Sequence, residues 1–373
     1  MTVSSVAAVL QEPGKIAIDT IEFEPPGPGQ IQLRMVAAGI CHTDLHIRDS
    51  SDGWGRRYPM LLGHEGAGII EAVGPDVVNL SPGDRVAIGC RVPCGICALC
   101  QRGDPRRCSA SAPAAARMLR GRDGVPVTAA LGVALFAERV VVDAGAAVPV
   151  DDGVSLEHAA LFGCALMTGV GAVMNTARVF PGATVAVVGC GGIGLSVVQG
   201  ARLAHASRIV AVDVSGAKLE WALDVGATDI VDSSKIDPVA AVRDLTGGLG
   251  VDFAFEAVGL AGCVDECLRM LGYAGVATII GVPHGGDRLE LEIGGPDGFF
   301  AKTKTLLVTH GGDSLPQHDL RVFGRLATQG KLSLEKMITH RVGLEDLDTG
   351  FELMRAARSI RTVVSFAAEG DVR

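Results

Sequence analysis

The chain has 373 residues, of which 48% are hydrophobic and 20% are charged. This length allows two domains, and this composition is typical of a globular protein rather than a disordered one. The formal net charge of -9, without a stripe of Lys and Arg, excludes the basic surface of a nucleic-acid-binding protein. Fifty glycines are spread along the chain without a period, which excludes a collagen-like fibre.

The sequence predicts neither export nor a membrane anchor. The first eleven residues form a short apolar run without a basic start or a cleavage site, and we interpret them as a strand. Residues 179–201 carry no charge and are long enough to cross a bilayer, but proline and glycine crowd them. A strand, a glycine turn and the start of a buried helix explain this run better. We therefore predict a soluble, cytoplasmic protein.

Up to about residue 150, short apolar runs alternate with turns rich in Gly and Pro. The runs include 30–37, 66–73 and 85–89. This pattern is typical of an all-β domain with short strands. Residues 109–129 are rich in Ala and Arg and weakly patterned, and we interpret them as a surface excursion.

After about residue 155 the pattern changes to alternating helices and strands. Residues 156–174 predict a helix, and helical patterns such as 193–203 and 217–225 separate several of the later strands. Six β-rich runs are present, at 183–188, 208–213, 229–231, 251–256, 275–281 and 305–309. Such alternation predicts a parallel sheet covered on both faces.

The last sixty residues differ again. Residues 344–357 predict an amphipathic helix, and 361–366 predict a strand. We expect this tail to return to the first domain.

Four of the ten cysteines cluster with the spacing C-x2-C-x2-C-x7-C, namely Cys94, Cys97, Cys100 and Cys108. In a chain without an export signal, such a cluster indicates metal binding before disulfides. Four thiolates on a short loop suit a closed, tetrahedral structural zinc site. An iron–sulfur cluster and four unrelated thiols remain alternatives at this point.

A second set of metal-binding side chains is spread along the chain. The stretch 39–46 alone offers a thiolate, two imidazoles, a hydroxyl and a carboxylate. Cys41, His64 and Cys164 together would form a catalytic zinc site, because two cysteines and one histidine leave a fourth position open. Each of them alone is equally explained as a buried small residue, and spacing cannot join them.

The chain resembles the zinc-dependent medium-chain alcohol dehydrogenase family over essentially its whole length. The matching motifs are, in chain order, Gly39-Ile40-Cys41-His42-Thr43-Asp44, Gly63-His64-Glu65, the four-cysteine loop, Gly163-Cys164 with Thr168-Gly169, the glycine turn at 189–194, and Ser359-Ile360-Arg361-Thr362. The resemblance implies an α/β fold in which a GroES-like, β-rich catalytic domain accompanies a Rossmann domain with a doubly wound parallel sheet. We expect the catalytic domain over 1–165, the NAD-binding domain over 166–309 and a C-terminal return to the catalytic domain over 310–373.

The same resemblance implies two zinc ions. Cys41, His64 and Cys164 would bind the catalytic zinc, and the four cysteines of the loop would bind the structural one. Asp44 would orient His64, and Glu65 would lie close behind the metal.

The residue types suit alcohol oxidation. Zinc can lower the pKa of a bound oxygen acid by many units, to about 7 for water in the best-known sites. The proton then needs an exit from a dry pocket, which a hydroxyl and a histidine can supply. By resemblance, the relay runs from Thr43 through the ribose of the cofactor to His46.

Residues 189–194 have the pattern G-x-G-x-x-G between a predicted strand and a predicted helix. Glycines there let the backbone approach a pyrophosphate at the helix N-terminus. Asp213 ends the next predicted strand, and Val214-Ser215 rather than an arginine follows it. A carboxylate at that place accepts hydrogen bonds from ribose hydroxyls and repels a 2′-phosphate, so we predict NAD rather than NADP. The cofactor-binding residues, partly by resemblance, are His42, Gly189, Gly191, Gly192, Ile193, Gly194, Asp213, Lys218, Val282 and Arg361.

His42 departs from many relatives, which have an arginine that grips the phosphate. Histidine is mostly neutral at pH 7 and has a shorter reach. We therefore expect looser and more pH-dependent NAD binding.

The family also implies a set of residues near the zinc that carries no formal charge. It consists of Thr43, Trp54, Cys90, Leu131, Val282 and Thr309. Such a lining predicts an uncharged alcohol or aldehyde, aromatic or of medium chain length. Thr43 in place of a smaller serine predicts a preference for primary over bulky secondary alcohols.

We thus predict a zinc-dependent oxidoreductase that transfers a hydride between an alcohol or aldehyde and NAD. A thiol-dependent formaldehyde dehydrogenase on the same scaffold is one alternative, and Arg56, Arg57 and Arg117 are candidates for binding its anionic substrate. An iminium or double-bond reductase is another, although Thr43 and His46 argue against it. A non-enzymatic zinc and nucleotide binder is the last. The resemblance implies a homodimer, with a tetramer as an alternative.

Overall fold

The computed structural model describes residues 2–51, 54–110, 118–283 and 285–366. The chain divides into two compact units. The first consists of Met1–Cys164 and Leu315–Arg373, and the second of Ala165–Ser314. The domain limits expected from the sequence, after residues 165 and 309, stay a prediction.

The strands are, in chain order, β1 Val3–Glu12, β2 Lys15–Phe23, β3 Gln30–Gly39, β4 Met60–Leu61, β5 Gly66–Val73, β6 Arg85–Ile88, β7 Met118–Arg120, β8 Pro126–Ala129, β9 Arg139–Asp143, β10 Ala147–Pro149, β11 Thr184–Val188, β12 Arg208–Asp213, β13 Asp229–Asp232, β14 Val251–Glu256, β15 Leu271–Ile279, β16 Thr305–Val308, β17 Ile338–Val342 and β18 Arg361–Ser365. The α-helices are α1 His42–Asp49, α2 Ala98–Gln101, α3 Leu156–Ala160, α4 Ala165–Gly171, α5 Gly192–Leu203, α6 Gly216–Val225, α7 Pro238–Leu245, α8 Ala261–Met270, α9 Pro316–Thr328 and α10 Leu347–Arg355.

The first unit is built from a closed barrel and a second sheet. The barrel has the order β1-β2-β7-β8-β4, and the second sheet has the order β10-β6-β5-β3-β18-β17, with β9 also paired to β3. Its core contains large, fully buried side chains such as Phe23, Phe136 and Phe351. The prediction of a β-rich first domain is confirmed. The tail also returns as expected, because β18 pairs with β3 and β17.

Residues 118–129 belong to the barrel and are not a surface excursion. β7 pairs with β2, and β8 pairs with both β7 and β4. Only Met118 and Val127 are buried among the residues of these two strands. The prediction for 109–129 was therefore wrong over this part, because two strands of three and four residues are too short to show an alternating pattern. Residues 111–117 lie outside the described ranges.

The second unit is a six-stranded, wholly parallel sheet with the order β13-β12-β11-β14-β15-β16. Counted from its first strand, this is the order 3-2-1-4-5-6 of the doubly wound nucleotide-binding fold. The central strand β11 is buried over four consecutive residues, as expected for a strand covered on both faces. The parallel sheet is confirmed, and so is the interpretation of residues 179–201 as a strand, a turn and a helix.

The predicted helix over 156–174 is interrupted. α3 ends at Ala160, a 3-10 turn covers Leu161–Gly163, and Cys164 has a non-helical φ of -136° before α4 begins. A π-helical stretch, Ala172–Ala177, follows α4. The prediction of one continuous helix was wrong, because the spacing of apolar residues does not reveal a single non-helical residue between two helical segments.

Among the described residues, no single helix is long and apolar enough to span a membrane. One bent pair, Leu156–Gly163 with Ala165–Ala177, reaches that length and composition together, as buried core helices of other proteins also do.

Candidate metal centres and cofactor turn

Cys41, His64 and Cys164 form a buried cluster in the first unit. Cys41 is the N-cap of α1, His64 lies between β4 and β5, and Cys164 lies at the break between α3 and α4. Their ligand atoms all lie within 4.8 Å of one another, and the two sulfurs are 3.7 Å apart. The fold therefore joins three residues that sequence spacing could not join.

Asp44 holds the cluster together through three contacts. Its carboxylate accepts hydrogen bonds from the backbone N–H of Cys41 at 3.2 Å and of Gly63 at 2.9 Å. It also lies 3.2 Å from Nδ1 of His64. Nδ1 must therefore carry a proton, which leaves Nε2 of His64 as the nitrogen that can bind a metal.

The two buried thiols differ in acidity. The hydrogen bond from Cys164 holds the pKa of Cys41 well below its usual value, and His64 contributes to this. The same bond raises the pKa of Cys164 well above its usual value. Burial opposes a charge on His64, yet Asp44 and Cys41 raise the pKa of its imidazole. A thiol with a lowered pKa thus lies beside an imidazole, and both side-chain types are ligands for a metal cation.

Glu65 and Arg361 lie next to this cluster. Nε of Arg361 is 3.6 Å from Oε1 of Glu65, and Nη1 donates to the carbonyl of Ile40 at 3.3 Å. Burial raises the pKa of Glu65 to about 7, although Arg361 opposes the shift. A glycine is required at position 39, because a Cβ there would collide with the carboxylate of Glu65. Glu65 thus lies beside the cluster while its role stays a prediction, and Arg361 is 3% exposed and paired with it.

The four-cysteine loop also brings its sulfurs together. The Sγ atoms of Cys94, Cys97, Cys100 and Cys108 all lie within 4.8 Å of one another. Backbone N–H groups point at three of these sulfurs at 3.3 to 3.5 Å. The N–H of Cys100 lowers the pKa of Cys97 to about 5, and the N–H of Cys94 lowers the pKa of Cys108. Four converging sulfurs fit a tetrahedral structural zinc, whereas two sulfurs and one imidazole fit a site with an open position.

In the second unit, the glycine turn follows β11 and leads into α5. A Cβ on Gly194 would collide with the carbonyl of Gly189, so the turn closes tightly only with glycine at that position. Asp213 at the end of β12 accepts hydrogen bonds from the N–H of Cys190 at 2.7 Å and of Ser215 at 2.9 Å. Burial and the Asp213 carboxylate raise the pKa of the Cys190 thiol, and Lys218 opposes this shift. The charged groups of Asp213 and Lys218 therefore both lie near the turn.

The predicted phosphate residue His42 and the predicted relay residues Thr43 and His46 all lie on α1. His42 is exposed, and Thr43 and His46 are half-buried. The ring centroids of His42 and His46 are 6.4 Å apart, and those of His46 and Trp54 are 6.3 Å apart. The relay roles themselves stay predictions.

Three predicted pocket residues of the first unit have distinctive local structure. Trp54 and Leu131 have positive φ angles of 56° and 55°, which bulky residues rarely adopt. Such strain is concentrated at functional loops. Burial raises the pKa of Cys90, so its thiol stays neutral.

Thr309, in the second unit, contacts two residues that the sequence did not single out. The hydroxyl of Thr176 lies 2.8 Å from Oγ1 of Thr309 and 2.9 Å from Oδ2 of Asp313. No local pattern could indicate this network, because its members lie on the π-helical stretch and after β16. Val282, the remaining predicted cofactor residue, follows β15 and is 44% exposed.

Comparison with known proteins agrees with this geometry. The family described as alcohol dehydrogenase GroES-like domain matches residues 27–152, and the family described as zinc-binding dehydrogenase matches residues 192–328. A curated S-(hydroxymethyl)glutathione dehydrogenase from Synechocystis sp. is 34% identical, over 97% of this chain and 100% of that protein.

Two solved structures extend the comparison. Benzyl alcohol dehydrogenase from Acinetobacter calcoaceticus superposes with a TM-score of 0.89 at 29% identity, over 98% of this chain and 100% of that chain. A zinc-binding dehydrogenase from Sinorhizobium meliloti 1021 bound to NADP superposes with a TM-score of 0.82 at 27% identity, over 97% of this chain and 99% of that chain. The GroES-like and Rossmann-type parts expected from the sequence are confirmed. The chain belongs to the zinc-dependent medium-chain alcohol dehydrogenase family.

Proposed function

We propose that this protein interconverts an uncharged primary alcohol and its aldehyde, with zinc and NAD as cofactors. The observation that carries the proposal is the buried convergence of Cys41, His64 and Cys164 at the start of α1, the helix that also bears Thr43 and His46. Three ligands leave a fourth position, which an alcohol oxygen would take.

Zinc would supply a Lewis acid that lowers the pKa of the alcohol, and NAD would accept the hydride. The residues of the chain supply the rest. Asp44 keeps the proton on Nδ1 of His64 and so fixes the ring orientation. Cys41, bound as a thiolate, would lower the net charge of the zinc site, and the buried Glu65–Arg361 pair lies next to the ligands.

Thr43 and His46 would carry the proton away. Both lie on α1, three residues apart and therefore on neighbouring positions of one helix face. A threonine hydroxyl can accept and donate a proton at once, and a half-buried histidine can exchange one with solvent near pH 7. We infer that the ribose of the cofactor joins the two.

NAD is preferred over NADP in this proposal because of Asp213. Its carboxylate is held at the end of β12 by two backbone N–H groups, and Val214-Ser215 rather than an arginine follows it. A 2′-phosphate would meet this fixed negative charge. The relative from Sinorhizobium meliloti was solved bound to NADP, so both cofactors are to be assayed. We expect at least about a hundredfold preference for NAD in kcat/KM, on the order of 3 kcal/mol.

An aromatic or medium-chain alcohol fits the residues expected around the metal. Of those in the first unit, Trp54 and Leu131 are apolar and Cys90 has a neutral thiol. The benzyl alcohol dehydrogenase with a TM-score of 0.89 supports an aromatic substrate.

A thiol adduct of formaldehyde is the second candidate. It is favoured by the name of the Synechocystis relative at 34% identity. Its substrate is anionic and needs cationic side chains to bind it. On the loop that bears Trp54, Arg56 is half-buried and Arg57 is exposed. Arg117, the third cation considered, lies outside the described residues.

One experiment separates these candidates. The zinc-loaded enzyme is assayed with benzyl alcohol, 1-phenylethanol, and formaldehyde with and without glutathione, each with NAD and with NADP. The proposal expects benzyl alcohol with NAD to be the best pair, and it expects a chelator to abolish the activity. Turnover of formaldehyde only when glutathione is present would support the second candidate. A Cys41→Ser variant, which lacks one zinc ligand, is the control for background reduction.

We also propose that the protein is a homodimer through the second unit. Among the described residues, β16 is one of the two edge strands of the parallel sheet, and Val308 on it is 70% exposed. Tyr273 is 70% exposed and Phe300 is 85% exposed on neighbouring segments of the chain. An unprotected edge with apolar side chains is a template for another strand, and a second copy of this chain is the occupant we propose.

A further inference from the structure

His42 and His46 are two imidazoles one turn apart on α1. Their ring centroids are 6.4 Å apart, with an interplanar angle of 73°. His42 is exposed and His46 is half-buried, so solvent reaches both. Their separation of four residues places both side chains on one face of the helix.

Two imidazoles at this spacing can chelate a transition-metal ion. Imidazole nitrogen suits Zn²⁺, Ni²⁺ and Cu²⁺, and its bond to zinc is about 2.0 to 2.1 Å long. A tetrahedral ion shared by two such nitrogens would hold the ring centroids roughly 5 Å apart, given that bond length. The observed centroids are 6.4 Å apart, so the two rings need to approach by little more than an ångström, which a small change in side-chain torsions supplies.

We propose that His42 and His46 bind a divalent transition-metal ion in a second, inhibitory site. Water completes its coordination, and binding exchanges two water ligands of the ion for two imidazole nitrogens without any redox step. The inhibitory effect rests on the proposed function, in which His42 contacts the cofactor and His46 ends the proton relay. A bound ion occupies both imidazoles at once, so metal and NAD would exclude each other, and free Zn²⁺ above the resident amount would slow turnover.

Trp54 provides a built-in reporter for this site. Its ring centroid lies 6.3 Å from that of His46, and Trp221 on α6 is the only other tryptophan in the chain. A paramagnetic Ni²⁺ ion held by His46 would therefore quench the fluorescence of Trp54, and a Trp54→Phe variant would remove the signal without removing a ligand.

The test titrates the zinc-loaded protein with NiCl₂ and follows tryptophan fluorescence and bound nickel by equilibrium dialysis. His42→Gln and His46→Gln each remove one ligand, and His205→Asn removes a histidine that lies outside the pair. Loss of the chelate should weaken nickel binding on the order of a hundredfold in both Gln variants, because the second ligand acts at a high effective concentration. His205→Asn should bind nickel as the unmodified protein does.

The outcomes are distinct. Equal nickel binding by the unmodified protein and both Gln variants overturns the inference, whatever the enzyme acts on. Nickel binding that depends on both histidines and is displaced by NAD supports the site and its inhibitory role. Binding that depends on both histidines but is indifferent to NAD supports the metal site and instead counts against the contact of His42 with the cofactor in the proposed function.

Discussion

Asp44 serves both the helix and the metal cluster at the scale of one residue. It caps α1 by accepting from the N–H of Cys41, and it fixes the imidazole of His64 through Nδ1. It is completely buried, so its lost hydration must be replaced by these contacts. A change of one atom in this side chain should therefore be visible in metal affinity.

Asp44→Asn should weaken zinc binding at the Cys41–His64–Cys164 site about 10- to 100-fold. The amide has one acceptor oxygen instead of two, so either Cys41 or the pair Gly63 and His64 loses its acceptor, and the geometry of the ligands is disturbed. Zinc content after competition with a chelator measures the effect, and it should fall from two ions per chain to one. Asp123→Asn removes a carboxylate from an ion pair with Arg120 at the surface and is the control. Two retained ions in both variants would contradict the prediction.

His42→Arg should tighten NAD binding and flatten its dependence on pH. Imidazole loses its charge between about pH 5 and 8, whereas a guanidinium keeps it and can grip a phosphate with two hydrogen bonds. In the unmodified protein we expect the dissociation constant for NAD to rise from pH 6 to pH 8, because the attraction of the cationic form is lost. The same affinity at both pH values in both forms would exclude this role for His42.

Thr43→Ser should widen the substrate range towards secondary alcohols. Serine keeps the hydroxyl of the proposed relay and removes one methyl group, so turnover of benzyl alcohol should persist while that of 1-phenylethanol rises. One methyl group in a pocket is worth on the order of 1 to 3 kcal/mol, or about 10- to 200-fold in the ratio of the two kcat/KM values. An unchanged ratio would show that this methyl group does not limit the pocket.

At the scale of elements, short segments are held by ion pairs to distant helices. Arg106, in the turn before Cys108, donates to the carboxylate of Asp319 on α9 at 3.1 Å. The same carboxylate accepts from the N–H of Leu315 at 2.9 Å and lies 2.6 Å from Nδ1 of His318. An ion pair therefore holds the four-cysteine loop to α9.

Asp319→Asn should lower the free energy of unfolding by about 1 to 3 kcal/mol at pH 7. The reason is that Arg106 and His318 lose the largely buried carboxylate that they contact. Burial opposes ionisation of Asp319, but His318, Leu315 and Arg106 together lower its pKa. A lowered pKa in the folded state stabilises the protein above the unfolded value of about 3.9. That contribution disappears as the pH falls through the lower, folded value.

Urea unfolding of the unmodified protein and of Asp319→Asn measures this difference. The gap between the two proteins should be full at pH 7 and should close as the pH falls below about 4. Asp265→Asn, at an ion pair with Arg269 whose two side chains are about half exposed, should change stability by at most about 0.5 kcal/mol. A gap that is the same at pH 7 and at pH 3 would mean that packing rather than charge accounts for it.

At the scale of the whole molecule, the edge of the parallel sheet at β16 is the surface that we propose contacts a second copy of the chain. Among the described residues, β16 is the last strand of that sheet, and it ends in the exposed Val308. A charge at position 308 should change the stability of the single chain little, but it should strongly destabilise a pairing of β16 strands between two copies.

Val308→Asp should therefore shift the protein from dimer to monomer in sedimentation velocity. Leu249→Asp changes a side chain that is 78% exposed on a turn of the same unit, and it should leave the mass unchanged. If both variants sediment as the unmodified protein does, β16 is not the contact between copies.

The sequence by itself determined the chemistry-bearing motifs, because each is local. The spacing of four cysteines, the glycine turn after a buried strand, and the Cys41-His42-Thr43-Asp44 stretch are all readable within about fifteen residues, and the alternation of strands and helices indicated the parallel sheet.

Only the tertiary structure decided which distant residues meet. It brought the sulfurs of Cys41 and Cys164 within 3.7 Å, paired Arg361 with Glu65, and joined Thr176 to Thr309. It also made barrel strands of residues 118–120 and 126–129, whose local pattern was too short to predict them. The physical reason is the same in each case: these contacts depend on the path of the backbone and on burial, which local propensity and periodicity do not encode.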